Sequence, residues 1–431
     1  MNGSAFVQDP GRLADLAKAI ASKQLSSVDL VKRCLARIDA AEPHVHAWRL
    51  LNAESALAAA RERDQEVAVG LVRGPLHGIP VAIKDIIDVE GLPTRCNSRS
   101  RDDAPPAAAD AEIVRALKVQ GAIVLGKTHT TEFAFYDPSP ARNPHNVAHT
   151  PGGSSSGSAV AVAAGMVPLS VGTQTMASVN RPAAYCGVAA FKPSTHSFSN
   201  YGVAPLGPGY DTPGFFGWSV TDAVFAYEAL AVPAAPLPFD PGAAITICVL
   251  NDKHIEDAAA DVVSALSRLR ERLSASGVKV ENRSSPIDFT RLAALQRSTM
   301  LYEASRAMAD FLKLSEGQIG AKLREGLAEG RQIPELQYLN ERRAIDLMRY
   351  ELVEATANVD AYLWPATPAP APKGLSWTGD PKYIGPWTAI GGPIITVPSG
   401  FSSDRLPLGC IVCGKPGADA ALAALARRRL N

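Results

Sequence analysis

The sequence predicts an α/β protein whose helices and strands form one layered domain over residues 1–431. Three observations indicate this fold class. Apolar residues follow helical spacing through an N-terminal region at 1–70, helix–Gly–strand successions typical of βα units come next, and short apolar strands flank a helical stretch at 289–358. Because strands recur on both sides of that stretch, a single domain is favoured over independent modules.

The predicted elements follow from local patterns along the chain. A Ser cap precedes the apolar positions of the second helix, and Gly and Pro mark the entry to the first strand. Helices are predicted at 13–23, 26–43, 53–66, 111–121, 257–277, 418–430 and across most of 289–358. Strands are predicted at 79–87, 122–130, 243–250, 278–282, 360–370, 391–400 and 406–414.

Composition and charge argue against several classes of protein. The 43 basic and 43 acidic residues balance to a formal net charge of zero, so we expect no nucleic-acid surface. No apolar run approaches the roughly 18 residues of a membrane span, and the first residues lack the pattern of a signal peptide. We therefore expect a cytoplasmic protein that binds no membrane. The six cysteines are scattered, and Cys410 and Cys413 are expected to be reduced core residues rather than part of a metal site.

The most informative feature is the run of Gly, Ser and Ala from Pro151 to Pro193. Arg181 is the only charged residue between Thr150 and Lys192. A hydrophilic linker would scatter charges, whereas this run alternates small hydroxylated residues with apolar blocks such as VAVAAGMV. Buried hydroxyls cost free energy unless they are hydrogen-bonded, so a cluster of them in a dry segment points to catalysis.

Lys84 is the residue best suited to act as a base. It interrupts the apolar strand IPVAIKDII, and burial can lower the pKa of a lysine from about 10.4 to as low as about 5–6. A neutral lysine can serve a nucleophilic serine as its base. The eight histidines fall in no recognisable triad or HExxH spacing, and GSSSG lacks the strand-to-elbow context of a nucleophile elbow.

Several motifs in order resemble the amidase signature family, from about Ser27 to the C-terminus. The central ones are PGGSSSGS at 151–158, GTQTMAS at 172–178 and RPAAYCGVAAFKP at 181–193. GIPVAIKD at 78–85 resembles the lysine strand of that family, and DTPG at 211–214, the segment 360–370 and PIITVPSG at 393–400 with LPLGCIV resemble its remaining blocks. The resemblance implies a mixed β-sheet sandwiched by α-helices, with the signature core at 71–250 and a helical insertion at 289–358 near the substrate entrance.

The same resemblance implies three catalytic residues. Ser178 would be the nucleophile, Ser154 the bridging serine that follows a cis peptide bond, and Lys84 the terminal base. Ser178 would attack the carbonyl carbon of an amide and form an acyl-enzyme, while Ser154 and Lys84 relay the proton. Ser155 would support Lys84 and the hydroxyl network. No cofactor or metal is expected.

The loop before the nucleophile departs from the family pattern. Backbone N–H groups of Thr175, Met176, Ala177 and Ser178 would form the oxyanion hole, but Met176-Ala177 replaces the usual Gly-Gly. Glycine reaches backbone conformations that cost other residues free energy. Either these positions never need a positive φ, or the loop is shifted. Met176 is also expected to contact substrate, because a flexible methionine can narrow a pocket.

Arg181 allows two interpretations, one in which it contacts substrate and one in which it does not. Its motif resembles a malonamidase-like branch in which the arginine meets a substrate carboxylate, and a guanidinium can bind a carboxylate through two hydrogen bonds. The alternative is that Arg181 pairs with an internal acid or with backbone carbonyls.

The expected function is hydrolysis of a small amide or of a carbamate or urea-type bond. The alternatives are a malonamate-like hydrolase, an amidotransferase component that works on glutamine with partner subunits, and an inactive scaffold. Many members of the family pair through N-terminal helices, so the resemblance is compatible with a homodimer.

Overall fold

One mixed β-sheet carries the fold, and α-helices cover it. The computed structural model describes residues 6–231 and 245–430. Within these residues the strands are β1 (Trp48–Leu51), β2 (Pro80–Lys84), β3 (Ile123–Thr128), β4 (Leu169–Gln174), β5 (Ala189–Lys192), β6 (Thr212–Gly217), β7 (Thr246–Asn251), β8 (Lys279–Ser284), β9 (Ala361–Pro365), β10 (Ile394–Phe401) and β11 (Pro407–Cys413). The helices are α1 (Leu13–Ala21), α2 (Ser27–Val45), α3 (Ala53–Ala68), α4 (Glu112–Val119), α5 (Ser156–Ala163), α6 (Asn180–Cys186), α7 (Val220–Leu230), α8 (Ala260–Ala275), α9 (Phe289–Ala307), α10 (Ala321–Gln332), α11 (Glu335–Ala355), α12 (Gly385–Ile390) and α13 (Asp419–Arg429).

The strand order explains why the sheet is mixed. The eleven described strands lie in the order β1-β3-β2-β4-β6-β5-β10-β11-β9-β7-β8. β2 runs parallel to β3 and β4, and β7 runs parallel to β8 and β9. In the spatial order, each neighbouring pair from β4-β6 to β11-β9 is antiparallel. The predicted α/β class with a mixed sheet is therefore confirmed.

Most predicted elements are present, with differences where the chain turns early. The strand predicted at 79–87 ends at Lys84, because the N–H groups of Ile86 and Ile87 turn back onto the Lys84 carbonyl. Sequence patterns did not reveal the short strand β1. They also did not resolve the Gly/Ser/Ala run into α5, β4, α6 and β5. Parts of two predictions lie outside the described residues. These parts are positions 1–5 and 431 of the predicted single domain and the first two positions, 243–244, of the strand predicted at 243–250.

Small residues let the backbone of the Gly/Ser/Ala run lie in direct contact with neighbouring segments. Every residue of α5 is buried, and the helix packs on β4. A Cβ added to Gly157 would lie 2.2 Å from the Ala47 carbonyl oxygen, and one added to Gly172 would lie 2.5 Å from Ser155 Oγ. The run is thus a packing element that brings the serines at the start of α5 against β4.

Two expectations from composition can be compared with the fold. All six cysteines are free and buried, including Cys410 and Cys413 on β11, as predicted. None of the helices in the described ranges is long and apolar enough to cross a membrane.

A buried ion pair joins the ends of β2 and β3. Lys127 Nζ lies 2.9 Å from Asp85 Oδ1, and both side chains are almost fully buried. Asp85 therefore points away from the Lys84 side of the strand, as the alternation of side chains in a strand predicts. Burial raises the pKa of the Asp85 carboxyl even beside this lysine.

Removing the cation of this pair should destabilise the protein. In Lys127→Met the Asp85 carboxylate stays buried with the N–H of Arg95 but without its cation, so we expect a loss of about 3–5 kcal/mol in the free energy of unfolding at pH 7. Because the carboxyl would then titrate with a pKa above its unfolded value, the loss should be complete above that pKa and shrink as the pH falls through it. Urea unfolding of wild type and variant at pH 7 and pH 5 measures both effects.

Lys118→Met is the matched control. It breaks the 2.7 Å pair between Lys118 and Asp110, in which the lysine side chain is 40 % exposed, so it should cost about 1 kcal/mol or less. Equal losses for the two variants would contradict a special role of the buried pair.

Candidate active site

The sheet register places Lys84 beside the serine-rich segment. β2 pairs with β4 so that Ile83 lies opposite Val171, and Lys84 follows at the end of the strand. Lys84 is fully buried, and its Nζ donates to Ser154 Oγ at 2.7 Å and to Thr173 Oγ1 at 2.8 Å. Desolvation lowers the pKa of Lys84 to about 7, opposed by the charge of Asp211. The amine can therefore be neutral near neutral pH and accept a proton.

Ser154 is fixed by its backbone on both sides. The Gly153–Ser154 peptide bond is cis, as the family resemblance implied. Arg181 donates to the Gly153 carbonyl from Nη2 at 2.7 Å, and the Ser154 carbonyl accepts from Thr131 N–H at 3.1 Å. These bonds hold the Ser154 hydroxyl at the buried amine of Lys84.

Ser178 lies on the loop between β4 and α6. It is 6 % exposed, and its carbonyl accepts from the N–H of Ser155 at 3.2 Å, which ties the loop to the start of α5. Gln174 Oε1 accepts from the N–H groups of Val179 at 2.8 Å and Asn180 at 3.0 Å, so this side chain closes the loop across its base. These bonds hold the loop of Ser178 beside the segment that carries Ser154, and the role of Ser178 as the nucleophile stays a prediction.

The carbonyls of the nucleophile loop accept hydrogen bonds, whereas its N–H groups donate to none of the described residues. The Thr175 carbonyl accepts from Gln296 Nε2 at 2.9 Å, and the Met176 carbonyl accepts from Thr388 Oγ1 at 2.5 Å. By contrast, in the described part of the chain no acceptor contacts the N–H groups of Thr175, Met176, Ala177 or Ser178. Preorganised N–H groups of this kind can stabilise an oxyanion.

Met176 and Ala177 need no glycine conformation. Neither is among the described non-glycine residues with positive φ. Of the two explanations that the sequence left open, the structure supports the first, in which these positions never require a positive φ. The side chains are thus accommodated on an ordinary backbone.

Ser155 is hydrogen-bonded to Thr173, whose hydroxyl accepts from Lys84 Nζ, so the supporting role expected of Ser155 fits these contacts and stays a prediction. Its Oγ donates to the Thr173 carbonyl at 3.1 Å and accepts from the Thr173 N–H at 3.3 Å. Ser155 lies directly before α5 and faces β4 at the level of Gly172. Thr173 then presents its hydroxyl to Lys84 Nζ.

Arg181 is bonded to backbone carbonyls, which is the alternative to binding a substrate carboxylate. Its guanidinium is buried and donates to the Gly153 carbonyl, to Thr378 Oγ1 at 3.1 Å and to the Gly379 carbonyl at 2.5 Å. Burial lowers its pKa. The fork that would bind a substrate carboxylate is therefore engaged by the protein, and contact of Arg181 with substrate stays a prediction.

Two neighbouring cavities lie over the nucleophile loop. The inner one, of about 20 Å³, is bounded by Ser178, Ala177, Met176 and Arg181 among others. The outer one, of about 610 Å³, lies between α9, α10 and the segment 377–382. Both are lined by Phe135, Tyr136, Met176 and Pro381. Met176 thus stands between the larger cavity and Ser178.

Sequence reasoning missed the residues that hold the loop from outside the motifs. Gln296 lies on α9, Thr388 on α12 and Tyr136 in the turn after β3, so no local spacing connects them to Ser178. One usable signal existed, because Gln296 is a polar residue on the buried face of a helix. Such a residue needs a hydrogen-bond partner, and here the partner is the Thr175 carbonyl.

Comparison with known proteins decides the family. The Amidase family model matches residues 29–423. The chain belongs to the amidase signature family. The resemblance read from the motifs is therefore confirmed.

Similar proteins span nearly the full chain. One subunit of the glutamyl-tRNA(Gln) amidotransferase of Geobacter metallireducens is 31% identical over 453 residues, covering 93% of each chain. The putative amidase AmiA2 of Mycobacterium bovis is 31% identical over 451 residues, covering 96% of this chain and 91% of the relative. The native peptide amidase of Stenotrophomonas maltophilia superposes with a TM-score of 0.82 at 28% identity, over 97% of this chain and 96% of that one.

Replacing Lys84 should separate activity from stability. Lys84→Met removes the base, so kcat should fall by about 10²–10⁴-fold. In the wild type, kcat/KM should rise with pH through about 7, where Lys84 loses its proton. A pH–rate profile and single-substrate kinetics measure these effects.

The stability of the same variant should not fall. The folded pKa of Lys84 is below its unfolded value, so folding with a protonated lysine carries a penalty that is complete below about 7 and relieved as the pH rises toward 10.5. Lys84→Met escapes this penalty and should melt at or above the wild-type temperature at pH 6. A large drop in melting temperature would show that Lys84 is mainly structural.

Proposed function

We propose that this protein is a cofactor-independent hydrolase that cleaves a carboxamide C–N bond through an acyl-enzyme on Ser178. The observation that carries the proposal is the 2.7 Å bond from a fully buried Lys84 to Ser154, beside a loop whose four N–H groups have no acceptor among residues 6–231 and 245–430. A base, a nucleophile and an oxyanion site are the three parts that acyl transfer requires.

The proposed proton relay runs from Ser178 through Ser154 to Lys84, and the 2.7 Å bond between Lys84 and Ser154 supports its last step. Lys84, in its neutral form, takes the proton of Ser154 as Ser154 takes that of Ser178, and Ser178 Oγ bonds to the carbonyl carbon. The oxyanion is received by the N–H groups at 175–178. The proton returns along the same chain to the leaving nitrogen, which departs as an amine. A water then repeats the relay, breaks the acyl–oxygen bond and releases the acid.

The substrate proposed is a small molecule with an amide bond or a related carbamate or urea-type bond. A malonamate-like substrate would need Arg181 for its carboxylate, and the bonds of Arg181 to Gly153, Thr378 and Gly379 weigh against that use. The intact Lys84, Ser154 and Ser178 also weigh against an inactive scaffold.

The second candidate function is that of a glutamine-dependent amidotransferase component. The observation in its favour is the similarity to the glutamyl-tRNA(Gln) amidotransferase protein of Geobacter metallireducens over 93% of both chains. Such a protein would release ammonia from glutamine only together with partner subunits. Hydrolysis of simple amides by the isolated chain would favour the first function.

Product analysis of the purified chain tests the proposal. Wild type and Ser178→Ala are incubated with aliphatic amides, anilides, carbamates, malonamate and glutamine, and the products are identified by mass spectrometry. Wild type should hydrolyse at least one class and, with added hydroxylamine, should form the hydroxamate expected of an acyl-enzyme. Ser178→Ala should do neither.

Ser158→Ala is the matched control, because it removes the hydroxyl of another fully buried serine, one that contacts Thr128 Oγ1 at 3.0 Å. It should retain turnover of the same substrates. Turnover by Ser178→Ala at the wild-type rate would exclude Ser178 as the nucleophile. No turnover by the isolated chain, with release of ammonia from glutamine only once partner subunits are added, would move the amidotransferase function ahead.

A further inference from the structure

The two cavities over Ser178 differ greatly in size. The inner cavity has about 20 Å³, close to the 10–15 Å³ or so that a single water needs. The outer cavity has about 610 Å³, enough for a substituent of many atoms. A substituent held in the outer cavity would therefore lie against Met176, which also lines the inner cavity beside Ser178.

A hydrogen bond from Tyr136 holds the side chain of Met176 where the two cavities meet. The Tyr136 hydroxyl donates to Met176 Sδ at 3.2 Å, and both side chains line both cavities. The backbone of Met176 is fixed separately, since its carbonyl accepts from Thr388 Oγ1. A methionine side chain has three rotatable bonds, so it can swing aside while the oxyanion loop stays in place.

The outer cavity is suited to an apolar group. Phe135, Tyr136 and Pro381 form its inner wall, and Trp377, 49 % exposed, stands on its rim. Burying an apolar substituent against this aromatic wall is favourable.

Among the described residues, the cationic side chains that line the outer cavity are already bonded to protein groups. Arg297 is paired with Glu329 through bonds of 2.5 and 2.7 Å, and Lys382 is paired with Asp257. Lys322 donates to the Ser376 carbonyl at 2.7 Å. Two further carboxylates on the lining, Glu325 and Asp380, are in no ion pair within the described ranges, which disfavours an acidic substrate.

We propose that Tyr136 and Met176 form a gate that selects primary carboxamides with a large, uncharged apolar acyl group. The NH₂ group, about as large as a water, occupies the inner cavity, and the acyl group lies in the outer cavity. Ser178 Oγ bonds to the carbonyl carbon, the C–N bond breaks, and nitrogen leaves as ammonia with the proton returned through Ser154. This inference rests on the proposed hydrolysis, because it assigns the two sides of the bond that is cleaved.

The gate is tested with three amides: 4-phenylbutanamide, its N-methyl derivative and acetamide. Wild type should have the highest kcat/KM for 4-phenylbutanamide. In Met176→Ala the ratio of kcat/KM for the N-methyl amide to that for the primary amide should rise by about 10–200-fold, the range for one carbon in a close-fitting pocket.

Two conservative variants and one control define the contact. Tyr136→Phe keeps the ring and removes the donor, and Met176→Leu keeps the volume and removes the sulfur acceptor, so each should raise the ratio by less than Met176→Ala does. Tyr302→Phe makes the same change in a half-buried tyrosine of α9 that lines neither cavity, and it should leave the ratio unchanged.

The outcomes separate this inference from the proposed function. If wild type prefers acetamide or the N-methyl amide, or if Met176→Ala leaves the ratio unchanged, the gate is wrong while Ser178-dependent hydrolysis stands. If no substrate in either panel is hydrolysed in a Ser178-dependent manner, both fail. Should Met176→Ala not fold, an unchanged ratio in both Met176→Leu and Tyr136→Phe would equally overturn the gate.

Discussion

The site depends on burying an amine in a place that offers it hydroxyls but no carboxylate. Lys84 donates to Ser154 and Thr173, and desolvation lowers its pKa to about 7. Lys127, on the neighbouring strand β3, is equally buried but contacts the Asp85 carboxylate. A carboxylate keeps a lysine protonated, and a protonated lysine cannot act as a base. Two lysines on adjacent strands are therefore suited to opposite tasks, and the side chain that faces each one decides which.

Asp211 affects the pKa of Lys84 through its charge while its own oxygens are bonded elsewhere. The Asp211 carboxylate is buried near Lys84, but it accepts from the Thr175 hydroxyl and from the N–H groups of Leu206 and Gly207. Its charge opposes the fall in the pKa of Lys84 without a hydrogen bond to the amine. The same bonds hold Thr175 at the start of the oxyanion loop. One carboxylate thus fixes the loop and tunes the base, which links the two halves of the site.

The sequence could predict the parts of this arrangement that lie within short motifs. Ser154 and Ser178 stand in glycine- and serine-rich segments, where close backbone packing allows few other residues, and Lys84 interrupts an apolar strand. The remaining contacts join distant positions. Gln296 reaches the Thr175 carbonyl from α9, and Arg181 reaches Gly379 across 198 positions of sequence. No local period encodes such contacts, since they exist only once the helices have packed on the sheet.

Arg181 explains why the inner cavity is suited to an uncharged group. Its guanidinium bonds the Gly153 carbonyl, which belongs to the peptide before Ser154, and also the Gly379 carbonyl, next to the segment that lines the outer cavity. A substrate carboxylate could claim this guanidinium only by displacing those carbonyls. Each buried carbonyl left without a donor would cost about 1–3 kcal/mol, and the Ser154 peptide would lose its anchor. Arg181 is therefore better suited to join the segment of the bridging serine to the cavity wall than to bind a substrate carboxylate.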